Sequence, residues 1–393
     1  MTELEQSTAN FNKDYLVTTL PPFEGEAMYV EYNHSNTQLV ACSENGDVRL
    51  FNIVDDVYTQ INNFQYPAEF MKSGNPHYIT RYCSFSPDGT LVVVCSKLYL
   101  VVLTTDKFTP VFEMNDIANH EQGRPIRMFT GVKFSPDSNI LAIGMENKVE
   151  LLDVRNNFIV ESYKPPGKIS QIVFHKDNMI FGGFQGVIQT IDRKTGHLLA
   201  EYNCCLNPYN HLRDMSITPN GLLFVCLYNL FPLVLNPDNL TPVPAPPKPK
   251  ATQSAELVPA EGAAENVLMA ISFPVFFAVK HINPYLSVTS GGIHGYRLWN
   301  MLTFEPIFHY TQFDNGYHSG MADFAIFRAF SPNNQHIALC CNNEVRIIKT
   351  PMYGVGSQFD KLKQMAVVLK KSHPDFVNVE LNDTILHSIA EFV

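Results

Sequence analysis

Charge is scarce in this chain. Of 393 residues only 17% are charged, and 38 Asp and Glu outnumber 28 Lys and Arg, for a formal charge of −10. A protein that grips nucleic acid needs a basic stripe to displace counterions from phosphates, so direct contact with DNA or RNA is not expected. Long apolar runs are also missing. The longest, VLMAISFPVFFAV at residues 267–279, is 13 residues, well short of the roughly 20 a helix needs to cross a bilayer. No membrane partner is therefore expected. The opening MTELEQSTANFNKDY is polar and acidic and does not read as a secretion signal, which makes the cytoplasm or nucleus the expected compartment. On that reading the glycosylation-like triplets at Asn33, Asn239 and Asn382 are chance matches.

The eight cysteines show no staple-like spacing, and most sit in apolar runs such as VVVC and HIALCC, so reduced, buried thiols are expected. Cys204 and Cys205 with His197 and His211 come nearest to a metal set, but no Cys-x-x-Cys spacing fixes their geometry. Cys340 and Cys341, adjacent in a strand, must face opposite ways, so at least one belongs to the core. Catalytic signatures are absent as well: no Gly-x-Ser-x-Gly, no His-Glu-x-x-His, no phosphate-cradling Gly-x-x-x-x-Gly-Lys. The glycine-rich GGFQG at 182–186 falls between two strand-like runs and reads as a turn. The expectation is a non-enzyme with no cofactor and no metal.

What the chain does have is a hydrophobic content of 45%, enough for a folded core, and a phrase that recurs. FSPDGTLVVVC at 85–95 returns as FSPDSNILAIG at 134–144. Around it lies a unit of apolar strand, Pro/Asp/Asn/Gly turn, second apolar strand, short polar turn, and a third strand closing on a bulky residue. That residue is followed by Asp, Asn or a substitute. Seven such units end at Phe51, Leu103, Leu152, Ile191, Leu235, Trp299 (the single tryptophan) and Ile348. Their spacing runs from 39 to 64 residues, and most of it brackets the about 40–45 residues of a four-stranded propeller blade. A fourth short strand follows most of them, as in VYTQIN, FTPVFEM, FIVESYK, LLAEYN and FEPIFHY. Short strands with turn signals between them and almost no helical periodicity make the fold class all-β.

The FSPDG turns and the bulky-apolar/Asp-or-Asn endings resemble the WD-repeat family over about residues 15–350. No unit has a literal Trp-Asp, and the Gly-His pair that usually opens a repeat is missing. The resemblance implies a seven-bladed β-propeller of four-stranded blades. GVKFSPDSNI with LLDV is also similar to propeller subunits of histone-methyltransferase and RNA-processing assemblies. Phosphoinositide-binding propellers carry an adjacent arginine pair, which this chain lacks.

After Ile348 the next alternating apolar run, MAVVL at 365–369, comes 17 residues on, where five to seven is usual in the other units. YLVTTL at 15–20 is the better strand, so the N-terminus is expected to supply the outer strand of the last blade and close the ring. Residues 1–14 form an arm and 15–350 the propeller, with a disordered Pro/Ala-rich insertion at 237–266. Within it Pro244-x-x-Pro247 could suit an SH3-type groove, but a solvated insertion fits its flanks better. Residues 351–393 form an extension. Val379, Leu381, Ile385, Leu386, Ile389, Phe392 and Val393 recur at helical spacing, which places an amphipathic helix over 380–393. It packs on its own propeller more readily than on a partner.

Asp88 beside Gly89 raises the question of an acidic site. A sialidase-type box needs Ser-x-Asp-x-Gly with an aromatic after it, and here the spacing fails, so a hairpin turn is expected, with Asp88 exposed and chemically idle. Long connections carry more promise. In a WD-type propeller the link from one outer strand to the next inner strand lies on one face, and three such links are long: 62–78, 114–127 and 311–321. They gather Phe64, Tyr66, Phe70, Tyr78, His120, Arg124, Phe313, Tyr317 and His318 as a candidate protein-interaction face, since aromatic residues and Arg anchor interfaces. The function expected is a non-catalytic scaffold or adaptor whose partners are other protein subunits of an intracellular assembly, with no homo-oligomer indicated. The alternative is a propeller enzyme or small-ligand binder that uses the central channel.

Overall fold

A computed structural model describes residues 16–67, 80, 82–122, 128–146, 148–165, 167–183, 185–204, 212–218, 221–227, 233–243, 278–283, 286–290, 296–300, 305–310, 328–333 and 335–349. These residues are nearly all β. They form 27 strands and one five-residue helix, α1 (Ile117–Glu121). β1 (Leu16–Thr19) opens the chain. The next four strands, β2 (Ala27–Tyr32), β3 (Gln38–Ser43), β4 (Asp47–Val54) and β5 (Val57–Gln65), form one sheet in chain order. The pattern repeats with β6 (Tyr82–Phe85), β7 (Leu91–Cys95), β8 (Tyr99–Thr104) and β9 (Pro110–Asn115), then with β10 (Phe129–Phe134), β11 (Ile140–Met145), β12 (Val149–Asp153) and β13 (Phe158–Tyr163). A fourth sheet holds β14 (Ile169–His175), β15 (Asn178–Gly183), β16 (Val187–Asp192) and β17 (Leu198–Asn203). The fifth has three strands, β18 (Leu212–Ile217), β19 (Leu223–Leu227) and β20 (Leu233–Leu235). The sixth comprises β21 (Ala278–Asn283), β22 (Leu286–Ser290), β23 (Tyr296–Asn300) and β24 (Glu305–Tyr310). The seventh is β25 (Arg328–Phe330), β26 (His336–Cys341) and β27 (Glu344–Lys349), with β1 as its outer strand. Every pairing between these strands is antiparallel.

Burial explains why the strands differ in composition. Second and third strands carry most of the buried apolar residues: Val92, Val93, Val94 and Val101–Leu103 are all fully buried, whereas polar residues such as Arg49 and Glu344 stand at the half-buried positions of other inner strands. Outer strands alternate instead, as in β13, where Phe158, Val160 and Ser162 are exposed and the residues between them half-buried. The apolar cores lie between consecutive sheets rather than within one. Val40, Cys42, Val48 and Leu50 of the first sheet pack with Val92, Val94, Val101 and Leu103 of the second. Val93 and Val102 pack onward against Leu141 and Ile143 of the third. The third and fourth sheets share Leu151, Ile172 and Phe181, and the fourth and fifth share Ile180, Leu212 and Val225. First strands contact one another in the same succession from β2 to β21, and β25 contacts β2.

The seventh sheet packs on the first through Ala338, Cys340, Val345 and Ile347 against Val30, Leu39, Ala41 and Phe51. β1 runs antiparallel to β27 with Leu16 opposite Ile348 and Thr19 opposite Arg346. The contact continues past the strand, where Leu20 N donates to Val345 O at 2.8 Å and Phe23 N to Asn343 O at 2.7 Å. Leu20 and Phe23 are both buried.

Residues 237–243, at the start of the expected disordered insertion, belong to the fold. Leu240 is buried, its N–H donates to Asn236 O, and Val243 N donates back to Val234 O. A turn capped by Asn236 and Asn239 side chains holds them there, a local chemistry that a Pro-rich composition conceals. The rest of the insertion, the arm at 1–14 and the extension with its expected helix at 380–393 lie outside the described residues. No helix among the described residues is long and apolar enough to cross a membrane.

Deleting residues 1–22 leaves β27 as an open edge and uncovers Val345 and Ile347. The deletion product is expected to lose soluble expression. Purification of a stable, monomeric product by size-exclusion chromatography would show that β1 is dispensable.

Candidate functional site

The repeated FSPD phrase is a hydrogen-bonded turn joining the first and second strands of a sheet. In the second sheet Ser86 Oγ donates to Asp88 Oδ1 and accepts from Leu91 N at 2.9 Å, while Thr90 N donates to Asp88 Oδ1 at 3.0 Å. In the third, Ser135, Asp137, Asn139 and Ile140 repeat each of these bonds. In the seventh the same bonds are made with Asn333 where the others have Asp. A neutral amide therefore does the work of the carboxylate, and the turn does not need the charge. Gly89 (φ 73°) and Ser138 (φ 61°) take the left-handed position of their turns. Neighbouring turns also touch, since Asp88 N donates to Ser138 Oγ at 3.0 Å.

Acids at the ends of third strands do similar work. Asp153 accepts from Arg155 N and Asn156 N, and Asp192 from Lys194 N and Thr195 N, capping the turns to β13 and β17. Asp88 is exposed at its turn, and partial burial alone would raise its carboxyl. The bonds from Ser86, Thr90 and Ser138 outweigh that and hold it below the usual range. Asp137 behaves alike, with Ser135, Asn139 and the Arg193 charge lowering it.

The first two long connections start from the sheet ends that carry the turns between second and third strands. Tyr66 N donates to Gly46 O at 3.0 Å and Asp116 N to Leu98 O at 3.0 Å. Each of the two is thus rooted on the inner hairpin of its own sheet, as is the shorter link after β17, where Cys204 N donates to Gly186 O at 2.9 Å. The third long connection, 311–321, lies outside the described residues. For the second connection the far end is rooted too, because Phe129 N donates to Lys97 O at 2.9 Å. Asp116, at the first root of that connection, is buried.

Of the nine candidate interface residues, three are described. Phe64 is half-buried in β5 and packs against the core between the first two sheets. His120 is half-buried in α1, where its N–H donates to Asp116 O at 3.0 Å. Tyr66 is a correction, because at 2% exposure it is a core residue rather than a surface contact. Its ring meets Tyr99 edge-on at 4.9 Å between centroids and covers the left-handed Gly46, where any Cβ would strike it. Burial pushes its phenol well above the ordinary value, and the hydroxyl of Thr80, itself fully buried at the other end of the connection, partly offsets this. Tyr66 and Thr80 therefore seat both ends of the first long connection in the core. Phe70, Tyr78, Arg124, Phe313, Tyr317 and His318 lie outside the described residues.

Other chemistry is sparse. Cys42, Cys83, Cys95, Cys226 and Cys340 are buried and in no disulfide, and Cys341 is half-buried. Cys204 Sγ donates to Gly186 O at 2.9 Å; Cys205 and His211 lie outside the described residues. Among the described residues no three His, Cys, Asp or Glu side chains come together as ion ligands. A depression lined by Gly167, Ile169, Phe181, Gly183, Gln185 and Val187 has a cavity volume of about 10 Å3, far below the roughly 300–1,000 Å3 of small-molecule sites.

One grouping escaped the sequence reading. The Tyr29 phenol of β2 is pushed well above its ordinary value by burial and then by Glu31, Cys83, Asp214 and Tyr82. Ser84 Oγ donates to Glu31 Oε1 at 3.4 Å. Residues on the first strands of the first, second and fifth sheets thus approach one another, a proximity that no local motif encodes. A scan against protein-family models and a comparison with curated proteins find no match for the chain.

Because Asn333 serves where Asp88 and Asp137 stand, Asp88→Asn is expected to leave the urea midpoint at pH 7 nearly unchanged. Ser86→Ala strands a buried N–H and is expected to cost about 1–3 kcal/mol. Carboxyls held low in the folded state stabilise it above the unfolded value of about 3.9, and that contribution is lost as pH falls through the folded values. The midpoint should therefore drop below about pH 4, and drop less in an Asp88→Asn/Asp137→Asn variant. Equal acid sensitivity in the two proteins would refute this assignment.

Proposed function

We propose that the chain is a seven-bladed β-propeller of the WD-repeat kind that works as a non-catalytic scaffold in a multiprotein assembly of the cytoplasm or nucleus. Seven sheets in chain order, contacts between successive first strands, and an N-terminal strand in the last sheet support the architecture. The observation that carries the function is the rooting of the long connections. Backbone bonds to Gly46 and Leu98, and the buried Tyr66, Thr80 and Asp116, hold their ends to a rigid frame. Aromatic-, His- and Arg-bearing segments mounted in this way suit recognition of protein surfaces. A chromatin or RNA-processing assembly is the setting to which the sequence resemblance points.

The second reading is a small-ligand site facing the first strands. Its one observation is that Glu31 and Asp214, from the first strands of two sheets, both act on the buried Tyr29 phenol. Titration calorimetry with divalent cations and common metabolites separates the two readings, and a saturable heat abolished by Asp214→Asn would favour the second.

The scaffold reading is tested by affinity purification of tagged chain from its native cell, with quantitative mass spectrometry. A stoichiometric set of proteins is expected. Phe313→Ala/Tyr317→Ala should lower its recovery about 30-fold, the loss that corresponds to an anchor worth roughly 2 kcal/mol, with the melting temperature unchanged. Undiminished recovery would place the contact on another face, and recovery of the chain alone would end the scaffold reading.

A further inference from the structure

The outer strand of a small sheet presents unpaired backbone groups, and proteins guard such edges with charge, proline or shortness. β9 carries Pro110 and Glu113, β13 Glu161, β17 Glu201, and β24 Glu305 and Pro306, while β1 has only four residues. β5 departs from this pattern. It is the longest strand at nine residues, its sequence VYTQINNFQ has neither charge nor proline, and no further strand lies beside it among the described residues. It also exposes apolar side chains, with Val57 62% and Ile61 45% exposed, and Val54, opposite Val57 at the end of β4, is 59% exposed. The turn between β4 and β5 is acidic, formed by Asp55 and Asp56, both at positive φ.

The end of the described chain lies at this place. Lys349 is opposite His336 in the register of β26 and β27, and His336 Nε2 is 3.7 Å from Asp56 Oδ2. The 44 residues after Lys349 thus set out from the acidic turn at the foot of β5. Among them, residues 361–371 read KLKQMAVVLKK, an apolar strand-like run with two lysines at each end. Eleven residues lie between Lys349 and Lys361, a span of chain that can reach about 40 Å, against the about 30 Å length of β5.

We propose that residues 361–371, which lie outside the described residues, pair along the edge of β5 as a fifth strand of the first sheet. The five central residues supply apolar partners for Val57 and Ile61. The lysines at either end supply cations for Asp55 and Asp56 whichever way the strand runs. This pairing does not rest on the scaffold reading.

Hydrogen exchange of the full chain, read by mass spectrometry, tests the proposal. Those amides of residues 57–65 that point away from β4 are expected to exchange slowly in the wild type. They should exchange at least tenfold faster in Ala366→Pro/Val368→Pro, which removes ladder donors, with β2–β4 unchanged. Should the proline variant not fold, Lys361→Glu/Lys363→Glu/Lys370→Glu/Lys371→Glu is expected to speed the same amides, and adding Asp55→Lys/Asp56→Lys to slow them again. Fast exchange of these amides in the wild type would overturn the proposal by showing an open edge. Slow exchange that survives both variants would overturn it by assigning the edge to another occupant. Sedimentation would then identify that occupant as a second copy of the chain if the protein is dimeric.

Discussion

A four-stranded sheet of five- or six-residue strands has two apolar faces and cannot bury either one alone. That constraint governs this molecule. Val93 and Val94 are neighbours in β7, yet one packs into the core shared with the third sheet and the other into the core shared with the first. Each such valine contributes roughly 1.5–3 kcal/mol only if the sheet that covers its own face is present. A sheet at the end of the series would leave one face bare. Ile347 and Val345 of the last sheet pack against Phe51 and Leu39 of the first, which covers one such face. Chain order of the sheets, largely buried inner strands and alternating outer strands all follow from the same need.

At four hairpin turns acidic side chains serve this arrangement. Asp88, Asp137, Asp153 and Asp192 each bind backbone N–H groups there, where short strands must reverse within four or five residues. Turn hydrogen bonds are enough to depress these carboxyl groups. Perturbed acidity marks functional sites only when a cleft and a substrate-facing geometry accompany it. Here the exchange of Asp for Asn333 at an equivalent turn identifies the cause as turn geometry.

What was legible in the sequence was whatever local chemistry encodes. The FSPD turns, the ends of third strands and the apolar runs mark the sheets because each depends on residues within a few positions. The partnership of β1 with β27 was readable because the last unit lacked an outer strand and the N-terminus offered one. Tyr66 was misjudged because its burial is set elsewhere, by Tyr99 in the next sheet and by the absence of a side chain at Gly46. An aromatic in a Pro-containing connection looks the same locally whether it faces solvent or roofs a hairpin. The approach of Asp214 to Tyr29 was invisible for the same reason, since it joins strands 185 residues apart along the chain.

The rooted connections and the sheet edges answer different physical demands. At the ends of the sheets, backbone groups are already satisfied by hairpins and by bonds such as Asp116 N to Leu98 O, so side chains there can vary without cost to the frame. Along the outer strands the reverse holds, because backbone groups remain open and side chains must repel a stray partner or admit a chosen one. Glu161 and Glu201 do the former at β13 and β17. β5, uncharged and the longest described strand, has only the bulge opposite Leu50 and Phe51 to interrupt its edge. A frame built from repeated small sheets therefore leaves its freely variable side chains at the connections and its open backbone at the outer strands, so the two regions meet different physical constraints.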